Sequence, residues 1–208
     1  EGGGLWNGTG LMTLTQVIMD ANLATGNAAN QGGAGIFNNG GDITADGITL
    51  TNNLAQGTSA SGGAVLSTVG TISFTNSTFT GNSANRAGGA FEVIDGTLNI
   101  TDSDVSNNDV NGTAGTPAPG NGGAIHITGA TTTNISGSTF NNNEAGREGG
   151  ALWNQNNSIM TVNTSSLDGN SAFGTDVIND GGGAIFLNGG TVNITGSTIS
   201  NNTATASG

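Results

Sequence analysis

The sequence predicts an all-β fold, a parallel β-helix (β-solenoid) built from about seven coils. Three observations lead to this prediction. A unit such as Gly182 to Asn202, GGAIFLNGGTVNITGSTISNN, recurs seven times along the 208 residues. Within each unit apolar and polar residues alternate, which is the period of a β-strand. The units differ in length at one place only, as expected where loops leave a solenoid along one edge.

Two positions mark every repeat. The third residue of a small-residue triplet opens the rigid segment, at Gly4, Gly35, Ala64, Ala90, Ala124, Ala151 and Ala184. An asparagine closes it, at Asn22, Asn53, Asn82, Asn108, Asn143, Asn170 and Asn202. The two positions lie 18 residues apart in five repeats and 19 in the other two, whereas each asparagine stands 8 to 16 positions before the third residue of the next triplet. One loop of variable length per coil is therefore predicted.

Three short strands fit into the rigid segment of each coil. The first follows the triplet, as at 125–127, and the second carries an alternating apolar pair such as Val192 and Ile194. The third contributes one apolar residue, at Met19, Leu50, Phe79, Val105, Phe140, Leu167 and Ile199. Glycine and asparagine at the corners allow the positive φ values of tight turns. Residues 1–208 are thus expected to form a single β-helix domain, without caps, of a longer or processed chain.

Composition argues against several classes of partner. Two Lys+Arg against fourteen Asp+Glu give a formal net charge of −12, so binding to nucleic acid is not expected. No apolar run approaches the roughly 20 residues of a membrane-spanning helix, so direct membrane insertion is not expected either. Because the chain contains no cysteine, a disulfide-stapled scaffold is excluded.

The repeats resemble those of the chlamydial polymorphic outer-membrane proteins and related bacterial surface β-helix proteins. The matching features are the GGA triplets that begin at Gly88, Gly122, Gly149 and Gly182 and the F-x-x-N pairs Phe79/Asn82 and Phe140/Asn143. The resemblance implies a right-handed β-helix that belongs to an exported surface or adhesive protein.

The seven asparagines that close the repeats are the most regular polar feature of the chain. We expect them to form an internal amide ladder, in which each side chain bonds the corner backbone and its neighbours in adjacent coils. A metal or ligand ladder is the alternative interpretation. A structural role is favoured because every coil needs a turn at this position.

A second column is predicted on the outer side of the first strand. If the residue after each triplet faces the core, the next residue faces outward. These residues are Trp6, Phe37, Leu66, Glu92, His126, Trp153 and Phe186. Because an apolar stripe on a polar rod is typical of a contact surface, all of them except the glutamate are predicted to form an interface with another protein chain, a further copy or a glycan. Burial of this column under the loops is the alternative.

The outer side of the second strand is predicted to be a flat polar face. Its hydroxyl-bearing residues include Thr13, Thr15, Ser73, Thr75, Thr101 and Thr195. Regular Thr-x-Thr arrays are similar to ice-binding faces, so ice binding is an alternative function. Only the first repeat has a true Thr-x-Thr pair, however, and threonine is a common solvent-facing strand residue.

Catalysis is not predicted. The two basic side chains, Arg86 and Arg147, are expected to close short loops by bonding loop carbonyls or a carboxylate such as Glu148. His126 has a single carboxylate in its column, Glu92, one coil away, and such a pair is a weak basis for catalysis. A polysaccharide-active enzyme is therefore the less favoured alternative.

No cofactor is expected, with calcium as the one possibility left open. Oxygen ligands for Ca²⁺ could come from Asp102, Asp104 and Asp109, or from Asp176 and Asp180. Since the sequence contains no EF-hand loop and no calcium-binding nonapeptide array, an acidic, solvated face is the favoured interpretation.

These features together predict a non-enzymatic structural and adhesive module of an exported, extracellular or cell-surface protein. Its partners would bind the outward column and the long loops, Val110 to Asn121 and Ala172 to Gly181. Lateral or end-to-end self-association, up to a filament, is part of this prediction.

Overall fold

The computed structural model describes residues 1–110, 120–174 and 180–205. These residues form a parallel β-solenoid in which strands, corners and loops alternate and no helix occurs. Four parallel sheets run along the solenoid, each with seven strands, so the chain makes about six turns between the first and the last strand of a sheet. The all-β solenoid that the repeats predict is thus confirmed.

The first two sheets contain the longer strands. The first sheet consists of Leu5–Asn7, Ile36–Asn38, Val65–Ser67, Phe91–Ile94, Ile125–Thr128, Leu152–Gln155 and Ile185–Asn188. The second consists of Leu11–Thr15, Asp42–Asp46, Gly70–Thr75, Gly96–Thr101, Thr132–Ser136, Ile159–Asn163 and Thr191–Thr195. Equivalent positions of successive repeats pair directly, as Ile72 does with Leu98.

The other two sheets are narrower. The third consists of Ile18–Asp20, Thr49–Thr51, Thr78–Thr80, Asp104–Ser106, Thr139–Asn141, Ser166–Asp168 and Thr198–Ser200. The fourth consists of Leu23–Ala24, Leu54–Ala55, Ser83–Ala84, Asp109–Val110, Glu144–Ala145, Ser171–Ala172 and Thr203–Ala204.

The prediction of three strands per coil is wrong, because the fourth sheet was not anticipated. Its strands are two residues long, too short to show the alternation on which the prediction rested. A signal for them is nevertheless present in the sequence. Two residues after each closing asparagine stands an alanine or a valine, as at Ala84 and Val110, and both of these side chains are buried.

The core fills the space between the sheets. It consists of one large cluster of aliphatic and aromatic side chains and a small second cluster of Ala55, Ala60 and Ala84. The large cluster includes Phe74, Phe79 and Phe91, whose ring centroids lie 4.5 to 5.5 Å apart. Burial of such large side chains is the main favourable contribution to folding. Each turn buries its apolar residues only against the turns before and after it, as in other solenoids.

Besides the first glycine of the triplet, two corners of each turn have a left-handed backbone. One precedes the third sheet and the other precedes the closing asparagine. Asn76 and Asn107 stand at these corners with φ values of 49° and 56°, and glycine takes the same role at Gly137. Asparagine tolerates this conformation better than most residues with a side chain, which explains why asparagine and glycine recur there.

Candidate functional site

The closing asparagines form a single ladder at the corner between the third and fourth sheets. Each side-chain Nδ2 donates to the Oδ1 of the asparagine in the next turn, over 2.8 to 3.1 Å. The same Oδ1 also accepts the backbone N–H of the preceding asparagine. Nδ2 makes a further bond to a carbonyl of the third sheet, as Asn82 does to Leu50. These amides are therefore occupied by internal bonds.

A parallel row of serines supports the neighbouring corner and was missed in the sequence. In five repeats a serine stands five residues before the closing asparagine: Ser77, Ser103, Ser138, Ser165 and Ser197. Each Oγ accepts a backbone N–H from the preceding turn, over 3.0 to 3.3 Å, and donates to a carbonyl two residues earlier. The recurrence of serine at this fixed spacing is the signal that could have revealed it.

The predicted outward column lies in register along the first sheet, as Glu92 with His126 and His126 with Trp153. Its prediction as an exposed aromatic surface is nevertheless wrong for most of its length. Trp6 is 53% exposed, and Phe186 is half-buried. Between them, the column is buried at Phe37, Leu66, Glu92, His126 and Trp153.

The column is buried because the turn before each first strand folds back along that strand. The residues just before the triplets pair in parallel as a narrow row: Gly32, Ser61, Ala87, Asn121, Glu148 and Gly181. The first glycine of the triplet then passes close to the strand. A Cβ on Gly62 would lie 2.3 Å from the Val65 carbonyl oxygen and 3.1 Å from the Leu66 Cα. A glycine with positive φ (65°) is therefore required there.

An acid–base pair lies within the buried column. His126 Nδ1 is 2.6 Å from Glu92 Oε2, and the two side chains are only 2% and 1% exposed. Arg86 adds a longer contact, 3.9 Å from Glu92 Oε1, and bonds the hydroxyl of Ser61 at 3.1 Å. Arg86 thus fastens its turn to a carboxylate, as predicted for the two arginines.

A tryptophan links this pair to a second group of charges. The His126 ring stacks on Trp153 with a centroid separation of 4.2 Å and an interplanar angle of 23°. Trp153 Nε1 donates to Glu148 Oε2 over 2.8 Å. Arg147 lies 3.7 Å from Glu148 and forms a close ion pair with Asp180. The sequence anticipated the contact between Arg147 and Glu148 but not the bond from the indole.

Burial shifts the titration of Glu148. Removal of this carboxyl from water raises its pKa above the ordinary value of 4.5, although the hydrogen bond from Trp153 and the charge of Arg147 act in the opposite direction.

Seven side chains form the contacts described above, and together we call them the buried charged cluster. Its members are Arg86, Glu92, His126, Arg147, Glu148, Trp153 and Asp180.

The acid–base groups of the cluster bond other side chains of the same chain. Glu92 contacts the Nδ1 edge of His126, and one face of the imidazole is stacked on Trp153. A general base must reach a substrate proton directly or through one water. Buried partners that already bond each other fix the turns instead.

The residues predicted for the polar face of the second sheet lie in register on neighbouring strands. Thr13 pairs with Thr44, and both are exposed. Farther along, the side chains bond one another: Asn99 Nδ2 donates to Ser73 Oγ and Asn134 Nδ2 to Asn99 Oδ1. The other predicted residues of this face, Thr15, Thr75, Thr101 and Thr195, occupy one register column with Asp46, Ser136 and Asn163.

Three of the aspartates considered for calcium are engaged in local contacts. Asp104 accepts from Thr139 Oγ1 over 2.9 Å, Asp109 from Ser83, and Asp180 pairs with Arg147. Asp176 lies outside the described residues, as do most residues of the two long loops. Among the residues that are described, no group of three or more histidine and acidic side chains is placed to hold a metal ion.

One comparison with known proteins gives a match. Residues 137–155 match the family model described as the Chlamydia polymorphic membrane protein (Chlamydia_PMP) repeat. The matched segment includes Asn143 of the ladder and Trp153 of the buried charged cluster. The resemblance noted in the sequence is thereby confirmed for this segment. No curated protein and no solved structure matches the chain.

Over the described parts of the chain, no helix has the length and apolar character needed to cross a membrane.

Proposed function

We propose that this chain is a non-enzymatic structural module, a stiff β-solenoid segment of an exported cell-surface protein that also makes adhesive contacts. The observation that carries the proposal is the asparagine ladder, which runs from Asn22 to Asn202 through every turn. Polar groups that repeat so regularly are used to hold turns together, as in other stacked-amide structures.

Stiffness follows from the continuity of the ladder and the core. Seven strands at a spacing of about 4.8 Å give a distance of about 29 Å between the first and last strands of a sheet. We infer right-handed winding, since connections between parallel strands of one sheet are right-handed in about 98% of cases. A module of this kind separates the segments attached to it by a fixed length.

The surface location is supported by the repeat match at residues 137–155, because that repeat is described as part of a membrane protein. The non-enzymatic role is supported by the buried charged cluster. Its acid–base groups, His126, Glu92 and Glu148, bond other side chains of the same chain.

Surface labelling tests the location. An antibody raised against the purified chain is applied to intact and to permeabilised cells of the source organism. We expect equal labelling of both, because an exported module is accessible without permeabilisation. Labelling only after permeabilisation would contradict the proposal. Incubation of the chain with acidic polysaccharides should release no reducing or unsaturated sugars, and release would contradict the non-enzymatic role.

The adhesive contact is proposed to involve the first turn, since most of the predicted column is buried. This turn carries an apolar side chain at an outward position of three of the sheets: Leu11, Ile18 and Leu23, which are 49 to 74% exposed. Later turns have polar residues at most equivalent positions, such as Asp42 opposite Leu11 and Thr49 opposite Ile18. Large apolar side chains that are exposed in this way are typical of a contact with another protein.

A second copy of the chain is the partner that can be tested directly. The substitutions Leu11→Thr, Ile18→Thr and Leu23→Ser install residue types that later turns carry at the same positions. We expect the wild-type chain to show concentration-dependent association in light scattering and the triple variant to be monomeric with unchanged circular dichroism. A wild-type chain that is monomeric at every concentration would contradict self-association.

A further inference from the structure

The described charges of the buried charged cluster do not balance. Three carboxylates, those of Glu92, Glu148 and Asp180, face two guanidinium groups, those of Arg86 and Arg147. With His126 neutral, the formal charges of the cluster sum to −1. A net charge in a buried site is costly, and the usual response is to bind a proton.

Two members of the cluster can hold that proton. His126 Nδ1 faces Glu92 Oε2 at 2.6 Å, so an added proton would create an ion pair there. Glu148 is the other possible position, because a protonated carboxyl group carries no charge. Both groups contact the same indole: the imidazole stacks on its face, and the carboxylate accepts its N–H. The two positions are therefore linked through Trp153.

We propose that Glu92, His126, Trp153 and Glu148 form a proton-dependent clasp between neighbouring turns. The folded cluster binds one proton that the unfolded chain releases, and the bound proton ties the three first-sheet strands together. Those strands, Phe91–Ile94, Ile125–Thr128 and Leu152–Gln155, each contribute one residue of the column. The device acts whether or not the module is adhesive.

The direction of the pH effect follows from proton linkage. A group that holds its proton more tightly in the folded state gives stability that is fully present below its unfolded pKa and is lost as pH rises through its folded pKa. For Glu148, whose pKa burial raises, this window begins at its ordinary value of 4.5 and extends upward. The clasp is thus closed under mildly acidic conditions and weakens towards alkaline pH.

The charged groups that face the proton come from every adjacent element. Arg86 precedes the strand of Glu92, Arg147 precedes the strand of Trp153, and Asp180 precedes the last strand of the first sheet. The neighbours of Glu92 on the preceding strand and of Trp153 on the following one are Leu66 and Phe186, neither of which titrates.

Thermal unfolding between pH 5 and pH 9 tests the clasp. The wild-type Tm should fall with rising pH, by about 3–5 °C for each pKa unit by which the folded cluster holds its proton more tightly. Glu148→Gln removes one carboxylate charge and with it the need for the proton, so its Tm should be nearly constant. The control Glu144→Gln, an exposed residue of the fourth sheet, should follow the wild type. A constant wild-type Tm, or an equally steep fall in Glu148→Gln, would overturn the proposal.

A measurement on the unaltered chain covers the case in which a variant fails to fold. His126 is the one histidine of the sequence, so its imidazole NMR signals are identified without mutagenesis. Over the same pH range, the imidazole signals and the Trp153 indole N–H signal should shift together with one midpoint. If neither signal shifts, the cluster exchanges no proton in this range and the clasp does not exist.

Discussion

Asn143 Oδ1 accepts both nitrogen donors of Asn108, the backbone N–H at 3.0 Å and the side-chain Nδ2 at 3.1 Å. Asn143 Nδ2 in turn donates to Asn170 Oδ1 and to the Val105 carbonyl, each over 2.9 Å. One side chain therefore holds three successive turns. The buried amide of each turn finds its hydrogen-bond partners in the neighbouring turns, which makes the corner a cooperative element of the solenoid.

Removal of one rung should be severely destabilising. In Asn143→Ala, two donors of Asn108 and the acceptors of Val105 and Asn170 lose a partner inside the protein. We expect the free energy of unfolding, measured by urea titration, to fall by about 3 kcal/mol or more. Asn163→Ala, at an exposed position of the second sheet, should change it by less than about 0.5 kcal/mol. Equal effects of the two substitutions would contradict a stabilising role of the asparagine ladder.

Relief of backbone strain should stabilise the corner before the third sheet. Thr164 has a φ of 45° there, where other repeats have Asn76 or glycine. A β-branched residue is strained in this left-handed region, so Thr164→Asn should raise the free energy of unfolding by about 1 kcal/mol. The same substitution at Thr161, in a regular strand, should give no gain. A loss of stability in Thr164→Asn would show that the backbone of Thr164 is not strained.

A buried hydroxyl should be replaceable with benefit. Thr133 is fully buried between Leu98 and Met160, and its Oγ1 has no hydrogen-bond partner. Thr133→Val keeps the shape and removes the unsatisfied group, so we expect a higher midpoint of urea unfolding, equivalent to about 1–2 kcal/mol. Thr132→Val, at the half-buried neighbouring position, provides the control and should be nearly neutral. Destabilisation by valine at position 133 would show that the hydroxyl is satisfied.

Acidification should release the corner held by Asp168. Hydrogen bonds from Ser200 and Asn201, at 2.6 and 2.7 Å, hold the pKa of this carboxyl below its ordinary value of 3.8. A depressed pKa gives stability that is present above the unfolded value and is lost as pH falls through the folded one. The Tm difference between wild type and Asp168→Asn should therefore be positive at about pH 6 and should vanish towards about pH 2. A difference that persists at the acidic end would contradict this assignment.

The repeated features of the solenoid could be predicted from the sequence because they recur in every turn. The period of two located the strands of the first three sheets, and the closing asparagines marked a corner that the structure shows as a ladder. The fourth sheet was not predicted, because a strand of two residues is too short to show alternation of apolar and polar residues. Its position was still encoded, in residues such as Ala84 that follow each asparagine at a fixed distance.

The buried charged cluster could not be predicted from alternation. A period of two shows which residues share a face of a strand, but not whether that face meets solvent. At Glu92 and His126 the face is covered by a turn whose path depends on glycines such as Gly88, with a φ of 63°. The contact between Arg147 and Asp180 joins residues 33 positions apart, across a loop whose length varies among repeats. Such a contact depends on the three-dimensional path of the loop.

The outward column must be closed to solvent if its side chains tie the turns together, because an open column would be a binding surface instead of an internal clasp. The chain has two tryptophans, Trp6, which is exposed, and Trp153, which is buried. Acrylamide quenching of fluorescence in wild type and in Trp6→Phe separates their contributions. We predict that the wild-type signal is quenched strongly and that the signal remaining in Trp6→Phe, which comes from Trp153, is quenched weakly. Equally strong quenching in the variant would show that the column is open to solvent and would contradict the account.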